Sequence, residues 1–71
     1  MFIATLIAAD RLRAGDISAA SDRLSAADCG PGSPRWIEEG KAADIPFARN
    51  PAAAREALEG AFPGVDLVVQ A

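Results

Sequence analysis

Five residues at positions 10–16 have the types and spacing that best suit the binding of a small polar ligand. Two arginines, two aspartates and a glycine lie there, directly after an apolar run. Arginine side chains and the free N–H groups of a helix N-terminus bind anions, and aspartates accept hydrogen bonds from an ammonium group. A carboxylate, a phosphate or a whole amino acid would suit this segment, and the alternative is a solvated loop whose charges pair loosely with each other. The candidate ligand-binding residues are Asp10, Arg11, Arg13, Gly15 and Asp16.

Side chains that could perform catalysis or bind a metal are scarce. The sequence has no histidine and one cysteine, so it forms no Cys/His pair, no Ser/His/Asp triad and no ordinary zinc site. Cys29 has no histidine or basic residue beside it in sequence, which favours a buried structural thiol over a reactive one. Glu38 and Glu39 are adjacent, so on a strand they point to opposite faces as solvated charges. We therefore predict no catalytic residue, metal ligand or cofactor in this chain.

Composition and charge argue against several classes of partner. Ten acidic and seven basic residues give a net charge of −3, whereas a nucleic-acid-binding domain would carry a basic face with stacking aromatics. No apolar segment approaches the ~20 residues that cross a bilayer. The N-terminal apolar run lacks the preceding basic residue and the cleavage site of a signal peptide. A lone cysteine fits a reducing compartment, so these features predict a cytoplasmic protein with no nucleic-acid and no membrane partner.

The first half of the chain predicts a strand and a helix. The apolar run from Phe2 to Ala8 is rich in β-branched residues, which is typical of a strand buried on both faces. Gly15 is expected to break the chain and Asp16 to cap the helix that follows. This helix is expected to end near Gly30, whose left-handed conformation would form the cap. Its apolar positions, at three- and four-residue spacing, are Ile17, Ala20, Leu24 and Ala27.

The second half predicts a hairpin, a helix and a last strand. Two short extended segments, 35–38 and 42–48, flank a turn that contains glycine. Asn50 supplies a capping side chain, and the proline after it suits the first position of a helix. This helix is expected to run to Phe62. Residues 65–69 alternate between apolar and polar positions as a strand does.

The resulting order, β-α-β-β-α-β, is that of the ferredoxin-like α+β fold. Right-handed crossovers place both helices on one face of a four-stranded antiparallel sheet whose first and third strands are central. Pro46 does not suit a central strand, because proline has no N–H for the ladder, so we expect irregular pairing there. Nothing in this chain covers the other face of the sheet, and apolar residues there indicate a missing partner. The 71 residues form one domain.

Trp36, the single tryptophan, is expected on an edge strand beside the glycine-rich loop at 30–34. A side chain of this size either fills the core or anchors an interface. We therefore regard Trp36 as a candidate interface residue, with core packing as the alternative.

Three segments together resemble the N-terminal region of bacterial phosphoserine phosphatases. They are Met-Phe-Ile-Ala-Thr-Leu-Ile-Ala at 1–8, Trp-Ile-Glu-Glu-Gly-Lys-Ala-Ala-Asp-Ile-Pro-Phe at 36–47 and Pro-Gly-Val-Asp-Leu-Val-Val-Gln at 63–70. The likeness is to SerB-type enzymes of the haloacid dehalogenase superfamily, particularly those of alphaproteobacteria, and spans essentially the whole chain. Its most specific part is the hairpin that ends in Ala-Asp-Ile-Pro-Phe, in which Pro46 is a family feature.

The resemblance implies that residues 1–71 are an ACT-like accessory domain ahead of a catalytic domain. In the family, the catalytic domain opens with Asp-x-Asp-x-Thr/Ser, whose first aspartate is phosphorylated and helps to hold Mg²⁺. No Asp-x-Asp occurs in this chain, so no catalytic residue carries over, and Mg²⁺ is expected in the absent catalytic domain. The implied function is a non-catalytic regulatory or assembly domain of an enzyme that hydrolyses L-phosphoserine in serine biosynthesis. The implied partners are that catalytic domain, L-serine at the first loop and a second copy through an edge strand.

Two other functions fit the residues. A purely structural module would dock on the catalytic domain or dimerise without a ligand, through an apolar patch that includes Trp36 or through an apolar edge. An acylphosphatase-like enzyme resembles this topology and uses an arginine and a phosphate-cradling loop after the first strand. Arg11 and Arg13 lie in that region, but the tight glycine-rich cradle is missing.

Overall fold

The computed structural model of the protein describes residues 1–37 and 40–70, which form six elements in the order β-α-β-β-α-β. The predicted positions of Glu38 and Glu39 lie outside the described residues, as does Ala71. The elements are β1 Phe2–Ala8, α1 Ala14–Ala26, β2 Arg35–Ile37, β3 Ala42–Phe47, α2 Pro51–Leu58 and β4 Val65–Gln70.

The four strands form one antiparallel sheet in the order β2-β3-β1-β4. The first and third strands are therefore central, which confirms the ferredoxin-like arrangement predicted from the sequence. In the register between them, Phe2 lies opposite Phe47, and their rings stack with centroids 5.5 Å apart. Leu6 lies between Ala43 on β3 and Leu67 on β4.

The core lies between the sheet and the two helices. Ala4, Leu6 and Ala8 point from β1 into one cluster with buried residues of both helices, among them Leu24 and Leu58. The alternate β1 residues point to the opposite face, where no element packs within the described part of the chain. Ile7 there is 38% exposed. The prediction that β1 is buried on both faces is therefore wrong, because only its helix-facing side is covered.

Helix α1 begins two residues before the predicted cap. Its first residue is Ala14, so Gly15 lies within the first turn and does not break the chain. Asp16 occupies the third helical position, where its Oδ2 accepts the N–H of Arg13 at 3.3 Å. An acidic side chain satisfies a helix N-terminus from this position as well as from the cap. The sequence alone does not distinguish the two placements.

Asp28, and not Gly30, forms the left-handed cap at the end of α1. Asp28 has φ 58°, its N–H donates to the Ser25 carbonyl and the Cys29 N–H donates to the Leu24 carbonyl, both at 3.0 Å. This bonding pattern is a Schellman motif. Aspartate tolerates the left-handed region better than most residues other than glycine. The helix therefore ends at a cap formed by Asp28, two residues before Gly30.

Helix α2 begins at Pro51 as predicted but ends at Leu58, four residues before the predicted end. Asn50 does not cap it with its side chain, because Asn50 has φ 59° and its Nδ2 donates to the Asp28 carbonyl at 2.8 Å. Gly60, with φ 71°, lies in the turn that follows the helix. Phe62 still packs against the core from that turn.

The irregular pairing expected at Pro46 is present. Strand β2 pairs with β3 only from Ala42 to Asp44, and beyond it the Pro46 carbonyl accepts the Gly32 N–H at 2.8 Å. The N and O of one strand residue point to the same side, so the missing N–H of Pro46 faces the loop and not β1. The β1–β3 ladder therefore loses no bond to the proline.

Candidate functional site

The loop between β1 and α1 lines a cleft together with the turn before β4. The cleft has a volume of about 380 Å³. Four of the five candidate ligand-binding residues line it, and Gly15 does not. The lining residues are Ala8, Ala9, Asp10, Arg11, Arg13, Asp16, Pro63, Gly64 and Val65.

Leu12 holds this loop against the rest of the molecule. Its side chain is buried in the core, and its N–H donates to the Gly40 carbonyl at 2.9 Å. Because Leu12 points inward, Arg11 and Arg13 on either side of it are exposed. Leu12 was not among the predicted functional or core residues, although an apolar residue between two arginines in a loop is typical of a side chain that anchors the loop to the core.

Charge in the cleft is of both signs. The described residues contain two ion pairs, Arg35 with Asp44 and Arg49 with Asp28, and neither uses a cleft residue. The guanidinium groups of Arg11 and Arg13 therefore take part in neither of these two ion pairs. The Asp16 carboxylate, however, already accepts the Arg13 N–H. This carboxylate places negative charge at the N-terminus of α1 and so weakens the electrostatic attraction of the helix end for a free anion.

The cleft presents side chains that can pair with both a carboxylate and an ammonium group. Its lining contains no histidine, cysteine or hydroxyl side chain to act as a nucleophile or as its usual base. Arginines can bind a carboxylate through paired N–H donors, and aspartates can accept from an ammonium group. Among the described residues, no group of three His, Cys, Asp or Glu side chains is arranged to hold a metal ion.

Cys29 is fully buried, as predicted, where α1 ends close to the start of α2. Its thiol donates to the Asn50 carbonyl at an Sγ–O distance of 3.5 Å. Burial raises the pKa of the Cys29 thiol, the positive charge of Arg49 acts in the opposite direction and Asp28 raises it further. The neutral thiol is therefore the stable form, which supports a structural role.

Trp36 lies on the edge strand β2, opposite Ala43, and is 44% exposed. Ala43 belongs to the core, so the indole lies at the border of the helix-facing side. The core-packing alternative does not hold, since nearly half of the side chain's surface is open. This position is compatible with an interface anchor.

The outer face is the face of the sheet opposite the helices. It has a polar centre with apolar residues around it. The Thr5 hydroxyl donates to Asp44 Oδ1 at 2.7 Å, and Arg35 Nη2 donates to Asp44 Oδ2 at 3.3 Å. Sequence alternation predicted the apolar residues but not this centre, because the contact depends on the register of three strands. The described residues of the outer face are Ile3, Thr5, Ile7, Arg35, Ile37, Ala42, Asp44, Pro46, Asp66, Val68 and Gln70.

Comparison with known proteins adds no relative. No family model, curated protein or solved structure matches the chain. Among the described residues, no helix is long and apolar enough to cross a membrane. Inference about function therefore starts from the cleft, the outer face and the sequence resemblance.

Proposed function

We propose that this chain is a non-catalytic accessory domain of a phosphoserine phosphatase, with a role in regulation or assembly. The parent enzyme would hydrolyse L-phosphoserine to L-serine and phosphate, the last step of serine biosynthesis, with Mg²⁺ held in its catalytic domain. One observation carries the regulatory role: Asp10, Arg11, Arg13 and Asp16 line a single cleft. The β-α-β-β-α-β order also agrees with the ACT-like domain that the resemblance implies.

L-Serine is the proposed ligand of the cleft. Its carboxylate would pair with Arg11 or Arg13, and its ammonium group would donate to Asp10 or Asp16. The volume of about 380 Å³ is ample for a molecule of this size. Because L-serine is the product of the proposed parent reaction, binding here would couple the end product to the enzyme that makes it.

Titration of the chain with L-serine, followed by amide chemical shifts, tests this proposal. We expect saturable shifts confined to residues 10–16 and 63–65. The Arg11→Ala and Arg13→Ala variants should bind L-serine more weakly, by about tenfold for the loss of one charged hydrogen bond. Arg55→Ala is the matched control, because it removes the same charge from an exposed position of α2 outside the cleft.

Silence of residues 10–16 at millimolar L-serine would contradict the ligand role. Equal weakening by Arg55→Ala would also contradict it, since the effect would then come from net charge alone. The same samples incubated with an acyl phosphate test the acylphosphatase-like alternative. Hydrolysis that is lost in both Arg11→Ala and Arg13→Ala would favour that enzyme.

A structural module without a ligand is the second candidate, and the exposed residues of the outer face favour it. Ile7 and Val68 are 38% and 40% exposed on that face. Such a module would dock on the catalytic domain or on another copy. A gene that continues into Asp-x-Asp-x-Thr/Ser within a few tens of codons would support the proposed parent enzyme for both candidates.

A further inference from the structure

We propose that the outer face is the contact surface between two copies of this chain, related by a two-fold axis parallel to the strands. The proposal deepens the assembly role proposed above and does not depend on serine binding. It differs from dimerisation through an edge strand, because here the sheets pack face to face and no ladder is extended.

The Asp44 carboxylate at the centre of the outer face already has hydrogen-bond partners within its own chain. Thr5 donates to one carboxylate oxygen of Asp44 and Arg35 donates to the other. Among the described residues, no buried side-chain nitrogen or oxygen lacks a partner. A second surface could therefore cover Thr5 and Asp44 at little cost in unmade hydrogen bonds, while the remaining N–H donors of Arg35, at the edge of the sheet, stay available for another partner.

Apolar side chains surround that centre and are open to solvent. Ile7 is 38% and Val68 is 40% exposed, and both point away from the helices. Ile3 and Pro46, with Met1, line a groove of about 260 Å³ on the same face. Adjacent exposed apolar residues of this kind mark interaction surfaces on small domains.

Charge on the outer face is arranged to match a second copy. Arg35 lies on β2 at one edge of the sheet, and Asp66 lies on β4 at the opposite edge. A two-fold axis parallel to the strands places β2 of one copy over β4 of the other at both ends of the contact, as an isologous interface requires. Arg35 of each copy then lies over β4 of the other, which is the strand that carries Asp66.

The register allows this ion pair to form. Arg35 and Val68 belong to one row across the sheet, through Asp44 and Thr5. Asp66 lies two residues from Val68, a distance of about 7 Å along a strand and within reach of an arginine side chain. Arg35 keeps further guanidinium N–H donors beyond the one that Asp44 accepts.

The size of the face predicts weak association. Three strands of six or seven residues and one of three, about 4.8 Å apart and rising 3.3 Å per residue, cover roughly 350 Å² per copy in projection. Stable interfaces bury about 800 Å² per partner. We therefore expect a reversible dimer with a dissociation constant on the order of 0.1 mM.

Sedimentation equilibrium from about 10 µM to 2 mM protein tests the surface, a range that brackets this dissociation constant. Val68→Lys should raise the dissociation constant of the dimer about tenfold or more, because the register places position 68 opposite Arg35 of the other copy, and like charges then meet. Trp36→Lys is the matched control, since Trp36 is similarly exposed on the helix-facing side. It should leave the dissociation constant unchanged, and thermal unfolding of each variant should show that it is folded.

A charge exchange tests the two-fold arrangement itself. Arg35→Asp alone and Asp66→Arg alone should each associate more weakly, because each places like charges opposite one another in its own dimer. An equimolar mixture of the two variants should recover association, since the mixed dimer contains two opposite-charge pairs.

Three results would overturn the proposal. They are a monomeric wild type at 2 mM, a wild-type dimer that Trp36→Lys weakens and Val68→Lys does not, and charge-exchange variants whose mixture associates no better than either alone. The first two leave serine binding at the cleft untouched, so failure of this surface is distinguishable from failure of the ligand role.

Discussion

At the scale of single residues, the contact between the end of α1 and the start of α2 depends on two residues in the left-handed conformation that are not glycine. Asp28 and Asn50 have φ 58° and 59°, a conformation that disfavours most side chains. Each helps to hold the other, because Asn50 Nδ2 donates to the Asp28 carbonyl and Arg49 pairs with the Asp28 carboxylate, both at 2.8 Å. Cys29 is buried beneath this junction.

Burial of Cys29 predicts a fall in stability at alkaline pH. The folded state raises the thiol pKa, so above its ordinary value of about 8.5 the unfolded chain loses the proton first. The unfolded state then binds fewer protons than the folded state, and the free energy of unfolding decreases as pH rises. Urea unfolding at pH 7.5 to 9.5 should show this decrease.

Cys29→Ala is the control for the pH effect. The variant should lose the decrease between pH 8 and 9.5, at a modest overall cost in stability from the missing sulfur atom. A wild-type protein whose free energy of unfolding is constant over this interval would contradict the prediction. Slow reaction of the folded wild type with a thiol reagent, accelerated by urea, is expected from the same burial.

At the scale of elements, the sequence predicts what the local pattern determines. Apolar spacing placed all six elements, and the order of those elements placed β1 and β3 in the centre of the sheet. The predicted ends of α1 were less accurate. Its start was misplaced because Asp16 suits both the cap and the third position of the first turn, and its end was misplaced because Asp28, and not Gly30, adopts the left-handed cap conformation. The Thr5–Asp44–Arg35 contact was not predictable, since it requires three strands to be in one register. Leu12 was not predicted as a core residue, because the charged residues around it indicated a ligand-binding or solvated loop.

Gly15 offers a test of the corrected start of α1. It lies in the first turn, without a positive φ, and a Cβ added there would meet no atom within 4 Å. Gly15→Ala should therefore raise the free energy of unfolding by about 0.5–1 kcal/mol, through the higher helix propensity of alanine. The proposed binding of L-serine should not change, because Gly15 does not line the cleft.

Gly60→Ala is the matched control, since a Cβ there also meets nothing within 4 Å but φ is +71°. This variant should be destabilised by about 1 kcal/mol, because alanine is strained in the left-handed region. Urea unfolding measures both changes. A destabilised Gly15→Ala variant would contradict the helix start at Ala14 and favour the original prediction of a break.

At the scale of the whole molecule, the core is small and one-sided. Much of it is alanine, and Phe47 is the largest side chain that is fully buried. A chain of this length has a stability of only a few kcal/mol when a single core supplies it. One large cavity is therefore comparable to the entire stability of the domain.

Phe47→Ala should unfold the protein. Phenylalanine-to-alanine changes in a core cost about 3–5 kcal/mol, and Phe47 also stacks on Phe2. Circular dichroism and amide spectra should show loss of the fold at 25 °C. Phe47→Leu, which leaves a smaller cavity, should remain folded with a lower midpoint in urea. A Phe47→Ala variant that is native-like and unfolds cooperatively would contradict this prediction, because it would show that the small core tolerates a large cavity.

The central position of β1 has a consequence for biosynthesis. Both of its neighbours, β3 and β4, follow it by more than thirty residues. Translation proceeds at roughly 5–20 residues per second. After β1 has been synthesised, seconds therefore pass before β3 is complete, and a longer time passes before β4 is. Throughout that interval an apolar segment with unpaired backbone on both sides emerges from the ribosome. Chaperones that bind nascent apolar segments should therefore be able to bind residues 2–8 during this interval, and a ribosome stalled before β4 would display a binding site that the finished domain conceals.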